Sequence, residues 1–134
     1  MTRRQIYEVL LIEDDMGDAE LAKMACAQSP FSSRITQASN GKDAMKILLK
    51  QPPHAGAPTP DLVLLDLNMP LMSGQEVLAA IKADPDLTRI PVVVMTTSDV
   101  ERDVVASYTL GAAGYITKPM EIEELFKIIH EVQA

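Results

Sequence analysis

Acidic, hydroxyl and basic side chains stand where the apolar runs of this sequence end. In chain order, these residues are Glu13, Asp14, Asp66, Thr96 and Lys118. Unbroken Leu and Val runs are typical of parallel strands that are covered on both faces. Because the carboxyl ends of parallel strands meet at one edge of a sheet, we expect these side chains to converge on one cleft.

Three carboxylates in one cleft repel each other, so this cluster predicts a nearby counter-charge. A hard divalent cation such as Mg²⁺ is held by a few carboxylate or carbonyl oxygens and keeps several waters. Asp14, Asp66 and a backbone carbonyl near Asn68 supply such a set, with Glu13 acting directly or through water. The alternative is that Glu13 and Asp14 only cap a helix, beside a structural lysine.

The elements that position these residues alternate regularly along the chain. Predicted strands cover residues 6–12, 34–38, 62–67, 91–96 and 113–117. Predicted helices cover residues 17–28, 41–50, 74–82, 100–110 and 121–132. Ser73 is the predicted N-cap of the third helix. This alternation predicts an α/β fold, a doubly wound five-stranded parallel sheet with helices on both faces. Residues 51–60 carry four of the nine prolines and are expected to form an enlarged surface loop.

Length and composition limit the classes of protein to consider. The 134 residues predict a single domain over positions 1–134. A net charge of −7 argues against a nucleic-acid partner, and no apolar run is long enough to insert into a membrane. Cys26 has no second cysteine to pair with, so we expect a reducing cytoplasm and a packing role for its side chain.

A family resemblance follows from five short segments in a fixed order. They are Leu11–Asp15 (LIEDD), Leu64–Pro70 (LLDLNMP), Ser73-Gly74, Val94–Ser98 (VMTTS) and Gly114–Pro119 (GYITKP). The sequence resembles the receiver domain of two-component response regulators, a CheY-like family, over essentially its whole length. The resemblance implies a flavodoxin-like sheet with the strand order 2-1-3-4-5.

The resemblance also implies roles for the residues of the predicted cleft. Asp66 corresponds to the aspartate that accepts a phosphoryl group from a phosphohistidine. Asp14, Asp66 and the main-chain carbonyl of Asn68 correspond to ligands of Mg²⁺, and Glu13 fills the other position of the acid pair. Lys118 corresponds to the lysine that pairs with a phosphoryl oxygen.

Two further residues match the family's switch. Thr96 corresponds to the residue whose hydroxyl binds a phosphoryl oxygen after phosphorylation. Tyr115 corresponds to the aromatic residue that swings inward as Thr96 moves, and the alternative is a half-buried strand aromatic. The output surface implied by the resemblance is formed by the fourth helix, the fifth strand and the fifth helix.

The resemblance implies a sensor histidine kinase as the partner. It also implies that the protein accepts and loses its own phosphoryl group and is not an enzyme that acts on a separate substrate. Glu13-Asp14, Gly17-Asp18 and residues 84–94 resemble the stand-alone receivers that are paired with phytochrome-type kinases. A histidine phosphotransfer protein or another protein target would receive the output. The resemblance also leaves a homodimer open.

Other classes of protein fit the sequence less well. A haloacid dehalogenase phosphatase carries a second acid two residues after its nucleophile, where this chain has Asn68. A flavodoxin needs a phosphate-binding loop after its first strand, and acidic residues 13–15 would repel that phosphate. A receiver-shaped scaffold that is never phosphorylated remains the alternative.

Overall fold

The computed structural model describes residues 7–27, 33–67, 73–96 and 111–117, together with positions 123, 127 and 131. Its elements are, in chain order, β1 (Tyr7–Ile12), α1 (Met16–Ala27), β2 (Ser33–Ala38), α2 (Gly41–Leu48), β3 (Leu62–Asp66), α3 (Gly74–Ala83), β4 (Val92–Thr96) and β5 (Gly114–Thr117). The five strands are parallel and lie in the order β2-β1-β3-β4-β5. This confirms the predicted sheet and its strand order.

The helix predicted over residues 100–110 lies outside the described residues. Three positions of the last predicted helix are described, Glu123, Lys127 and Glu131, and all three are helical and exposed. Among the parts of the chain that the structure describes, no helix is long and apolar enough to cross a membrane.

The sheet is covered on both faces, and each face has its own apolar core. Alternate residues of a strand point to opposite faces, so Leu62 and Leu64 pack on one side and Val63 and Leu65 on the other. On the face of Leu62 and Leu64, the core is completed by Ala19, Ala22, Ala25 and Cys26 of α1. On the face of Val63 and Leu65, it is completed by Ala44, Ile47 and Leu48 of α2 and by Val77, Leu78 and Ile81 of α3. This double coverage explains why the strands are continuously apolar.

Asp15, directly after the acid pair, caps the N-terminus of α1. Its Oδ2 accepts the N–H of Asp18 at 2.7 Å, and its carbonyl oxygen accepts the N–H of Ala19 at 2.9 Å. This is the pattern of an N-cap residue. The helix therefore begins at Met16, one residue before the predicted start.

α2 ends at Leu48, two residues before the predicted end, and Lys50 then adopts a left-handed backbone with a φ of 56°. Residues 51–60 contain turns but neither helix nor strand, as predicted. Asp61 brings the chain back to the sheet. Its N–H donates to the carbonyl oxygen of Glu8 at 2.7 Å, and its Oδ2 accepts the N–H of Glu8 at 2.9 Å.

A capping box fixes the start of α3, close to the end of β3. The Oγ of Ser73 accepts the N–H of Glu76 at 3.2 Å, and the Oε1 of Glu76 accepts the N–H of Ser73 at 2.9 Å. Both bonds satisfy backbone donors that the first turn of a helix leaves without partners. Ser73 is thus confirmed as the predicted cap.

Lys82 joins the last turn of α3 to the segment that leads into β4. Its Nζ donates to the carbonyl oxygens of Thr88 at 3.1 Å and Ile90 at 3.2 Å, and its methylene groups lie beside Gly111. Partial burial lowers the pKa of Lys82 below its ordinary value, because burial disfavours the charged ammonium. The two carbonyl oxygens offset part of that cost.

We expect Lys82→Met to lower the free energy of unfolding by about 1 kcal/mol, because methionine keeps the methylene groups but donates no hydrogen bond. Urea unfolding followed by circular dichroism measures this loss. Lys42→Met, at an exposed position of α2, is the matched control and should change the stability by less than about 0.5 kcal/mol. Equal losses in the two variants would contradict the bridging role of Lys82.

Candidate functional site

The register of the sheet places the carboxyl ends of β1, β3 and β4 at the same height along the strand direction. Ile12 of β1 pairs with Leu65 of β3, so Glu13 follows β1 at the level where Asp66 ends β3. Asp66 in turn pairs with Met95, the residue before Thr96. The expected convergence of these strand ends at one edge is therefore present.

Three of the predicted residues form a carboxylate cluster. Glu13, Asp14 and Asp66 each offer one carboxylate oxygen, and these atoms all lie within 4.8 Å of one another. Glu13 is 0% exposed and Asp66 3% exposed, whereas Asp14 is exposed. The cluster therefore has a buried floor and opens to solvent beside Asp14.

Hydrogen bonds hold both the main chain and the side chain of Glu13. Its N–H donates to the carbonyl oxygen of Ala38 at 3.0 Å, and its carbonyl oxygen accepts a hydrogen bond from the Nε2–H of Gln37 at 3.1 Å. Its Oε2 accepts the N–H of Asp15 at 3.1 Å. These bonds fix the turn that presents Asp14 to solvent and keeps the Glu13 side chain inside.

Helix capping does not account for the acid pair. The side chain that caps α1 is that of Asp15, whereas the carboxylates of Glu13 and Asp14 belong to the cluster with Asp66. The capping side chain of α1 is therefore that of Asp15 and not that of Glu13 or Asp14.

The donor set fits a hard divalent cation. Carboxylate oxygens are ligands that Mg²⁺ and Mn²⁺ prefer, and two ligands of one Mg²⁺ ion lie at most about 4.2 Å apart. The three carboxylate oxygens, which lie within 4.8 Å of one another, are close to that spacing. The positive charge of such an ion would relieve the repulsion within the cluster.

The remaining predicted residues are only partly described. Thr96 ends β4 and pairs with Thr117, and Tyr115 of β5 pairs with Val94. Asn68 and Lys118 lie outside the described residues, although Lys118 directly follows the end of β5 in the sequence. The roles assigned to these residues stay predictions.

Cys26 is not a nucleophile of this site. It is a residue of α1 that packs in the apolar core between this helix and the sheet, and it is 2% exposed. Burial raises the pKa of its thiol to about 11, so almost no thiolate forms at neutral pH. The predicted packing role of Cys26 is confirmed.

Sequence comparison points to a known family. The family model for the response regulator receiver domain matches residues 9–130 of this chain. Response regulator Rcp1 of Synechocystis sp. is 42% identical over 126 residues, which are 94% of this chain and 86% of that protein. The similarity therefore extends over nearly the full length of both chains.

Solved structures agree with the sequence comparison. The phosphorylated cyanobacterial phytochrome response regulator RcpA superposes with a TM-score of 0.85 at 41% identity, covering 96% of this chain and 92% of that chain. The Mn²⁺-bound form of Rcp1 has a TM-score of 0.84 at 42% identity, with coverages of 95% and 91%. Because the family model matches residues 9–130 and solved receiver structures superpose closely, this chain belongs to the response regulator receiver domain family of two-component signalling.

Proposed function

We propose that Asp66 accepts a phosphoryl group from the phosphohistidine of a sensor histidine kinase. The observation that carries this proposal is the cluster of Glu13, Asp14 and Asp66 at the carboxyl edge of the sheet. Asp66 ends the central strand β3 and is held between β1 and β4. Its carboxylate thus has a fixed position beside two further acids.

The chemistry proposed for Asp66 is nucleophilic transfer. One carboxylate oxygen attacks the phosphorus atom, the phosphorus–nitrogen bond breaks, and its electron pair stays on the departing nitrogen. The histidine ring leaves as neutral imidazole when its other nitrogen carries a proton. The product is an aspartyl phosphate, an established class of covalent intermediate.

We propose Mg²⁺ as the ion of the acidic cluster, held by Asp14, Asp66 and the main-chain carbonyl of Asn68, with Glu13 bound directly or through water. The bound ion would neutralise charge that develops on the transferring phosphoryl group. The Mn²⁺-bound form of Rcp1 supports a divalent ion in a similar chain. Lys118 is proposed to pair with a phosphoryl oxygen.

The signal is proposed to be a changed protein-binding surface. The hydroxyl of Thr96 would donate to a phosphoryl oxygen only after phosphorylation, and Tyr115 would follow the movement of Thr96. Both residues lie on the neighbouring strands β4 and β5. A histidine phosphotransfer protein or another protein target would then read this surface.

We propose a phytochrome-type histidine kinase as the partner, within a single receiver domain over residues 1–134. The similarity to RcpA, a phytochrome response regulator, supports this choice. A homodimer and a cytoplasmic location stay predictions. We assign no enzymatic activity toward a separate substrate, because the proposed reaction ends on the protein's own side chain.

Incubation with Mg²⁺ and acetyl phosphate, followed by intact-mass measurement, tests the proposal. We expect one phosphoryl group per chain, and no addition when EDTA removes the metal. The same measurement with an autophosphorylated phytochrome-type kinase tests the partner. A chain that stays unmodified with both donors would contradict the proposal and favour the unphosphorylated scaffold.

A further inference from the structure

Gly74, the first residue of α3, lies directly against the end of β3. It is buried, and its N–H donates to the carbonyl oxygen of Leu67 at 3.1 Å. A Cβ atom added at Gly74 would lie 2.5 Å from the Cα of Leu67 and 3.0 Å from the carbonyl carbon of Asp66, and closer still to the carbonyl oxygen of Asp66. The glycine hydrogen is therefore the largest substituent that this contact accepts.

The crowding at Gly74 involves main-chain atoms that have little freedom to move. The N–H of Leu67 donates to the carbonyl oxygen of Met95 at 3.0 Å, and Asp66 pairs with Met95 in the sheet. On the other side, the capping box of Ser73 and Glu76 fixes the start of the helix. A flexible side chain could turn away from an added methyl group, but these backbone segments cannot.

We propose that Gly74 is a positioning residue for Asp66, an inference that rests on the proposed phosphoacceptor role. Because Gly74 has no side chain, α3 can pack on the Asp66–Leu67 peptide and hold Asp66 level with Glu13 and Asp14. Glu13 and Asp14 follow β1, so a different strand positions them. A Cβ at position 74 forces α3 or the Asp66–Leu67 peptide to shift, and we expect this shift to change the spacing between Asp66 and its two acidic neighbours.

The size of the clash sets the size of the expected effect. The distance of 2.5 Å to the Cα of Leu67 is about 1 Å shorter than the 3.4 Å at which ordinary van der Waals contact begins. A displacement on the order of 1 Å at a reacting group lowers a rate by as much as roughly 100-fold. The same displacement moves one carboxylate out of the set that would hold the metal ion.

Gly74→Ala tests this inference through metal affinity and phosphoryl transfer measured separately. Mn²⁺ binding is followed by the electron paramagnetic resonance signal of the free ion, at a temperature at which circular dichroism shows the variant folded. We expect at least a roughly tenfold weaker Mn²⁺ affinity and a roughly 100-fold slower phosphorylation by acetyl phosphate at saturating Mg²⁺. Unchanged affinity and unchanged rate would overturn the inference.

Two controls separate positioning from stability. Gly56→Ala makes the same chemical change where an added Cβ has no atom within 4 Å, and should leave both quantities unchanged. Ile81→Val lowers stability from within the same helix, at a buried position further along α3, and should lower only the melting temperature. If Gly74→Ala behaves like Ile81→Val, with a lower melting temperature and normal Mn²⁺ affinity, Gly74 is merely structural and the inference is wrong.

Ser73→Ala decides the question if Gly74→Ala does not fold. This variant loosens the helix start by removing the acceptor of the Glu76 N–H, but it adds no bulk. We expect a smaller, about threefold, loss of Mn²⁺ affinity in the folded protein, and no loss would overturn the inference. The Mn²⁺ comparison stays valid even if the wild-type protein accepts no phosphoryl group, so failure of the proposed function and failure of the role of Gly74 give different results.

Discussion

Asp66→Asn is expected to accept no phosphoryl group under conditions in which the wild-type protein accepts one. The amide has nearly the shape of the carboxylate, so the buried position at the end of β3 is kept. The amide oxygen carries no full negative charge and is a far weaker nucleophile toward phosphorus. Intact-mass measurement after incubation with Mg²⁺ and acetyl phosphate should give the mass of the unmodified variant.

Asp61→Asn is the matched control for Asp66→Asn. It makes the same change just before the first residue of the same strand, at an exposed residue on the opposite edge of the sheet. Asp61 accepts the N–H of Glu8, so this variant loses some stability but should still gain one phosphoryl group. Phosphorylation of Asp66→Asn at the wild-type rate would place the acceptor elsewhere and refute the assignment.

Mg²⁺ is expected to stabilise the wild-type protein, and Asp14→Asn is expected to lose most of that stabilisation. An ion that binds only the folded state adds about 2.7 kcal/mol to the free energy of unfolding at 100 times its dissociation constant. Asp14 is the informative position because its side chain is exposed. Its replacement removes a proposed ligand without disturbing the core, and thermal unfolding at increasing Mg²⁺ concentrations measures the difference.

Asp86→Asn provides the control for Asp14→Asn. It removes one negative charge from an exposed position in the turn after α3, outside the carboxylate cluster. Its response to Mg²⁺ should equal that of the wild-type protein, apart from weak screening effects. If Asp14→Asn and Asp86→Asn gain equal stability from Mg²⁺, the ion acts by general screening and the proposed site is wrong.

The two experiments distinguish the two roles proposed within one cluster. Asp66 is proposed both as nucleophile and as metal ligand, whereas Asp14 is proposed as a ligand alone. Asp14→Asn should therefore recover part of its phosphorylation at high Mg²⁺ concentration, because added ion compensates for weaker binding. Asp66→Asn should not recover at any concentration, because the acceptor atom itself is missing.

The sequence by itself determined the architecture and the meeting of the acids. Continuous apolar runs indicated strands covered on both faces, and the two cores on opposite faces confirm this. In a parallel sheet all carboxyl ends share one edge, so the positions of Glu13, Asp14 and Asp66 after β1 and β3 predicted a common edge, and the family resemblance implied that these two strands are neighbours. Their roles in phosphorylation remain predictions, as do those of Thr96 and Lys118.

Only the tertiary structure decided which acid caps α1 and what holds the site in place. Sequence spacing cannot separate Asp15 from Glu13 and Asp14 as the cap, because the three are adjacent and chemically alike. Gln37 reaches the carbonyl oxygen of Glu13 across 24 positions. Gly74 meets the peptide after Asp66 only because α3 folds back onto β3. Such contacts depend on distances between segments that chain order does not specify, and these distances are set by how helices and strands pack.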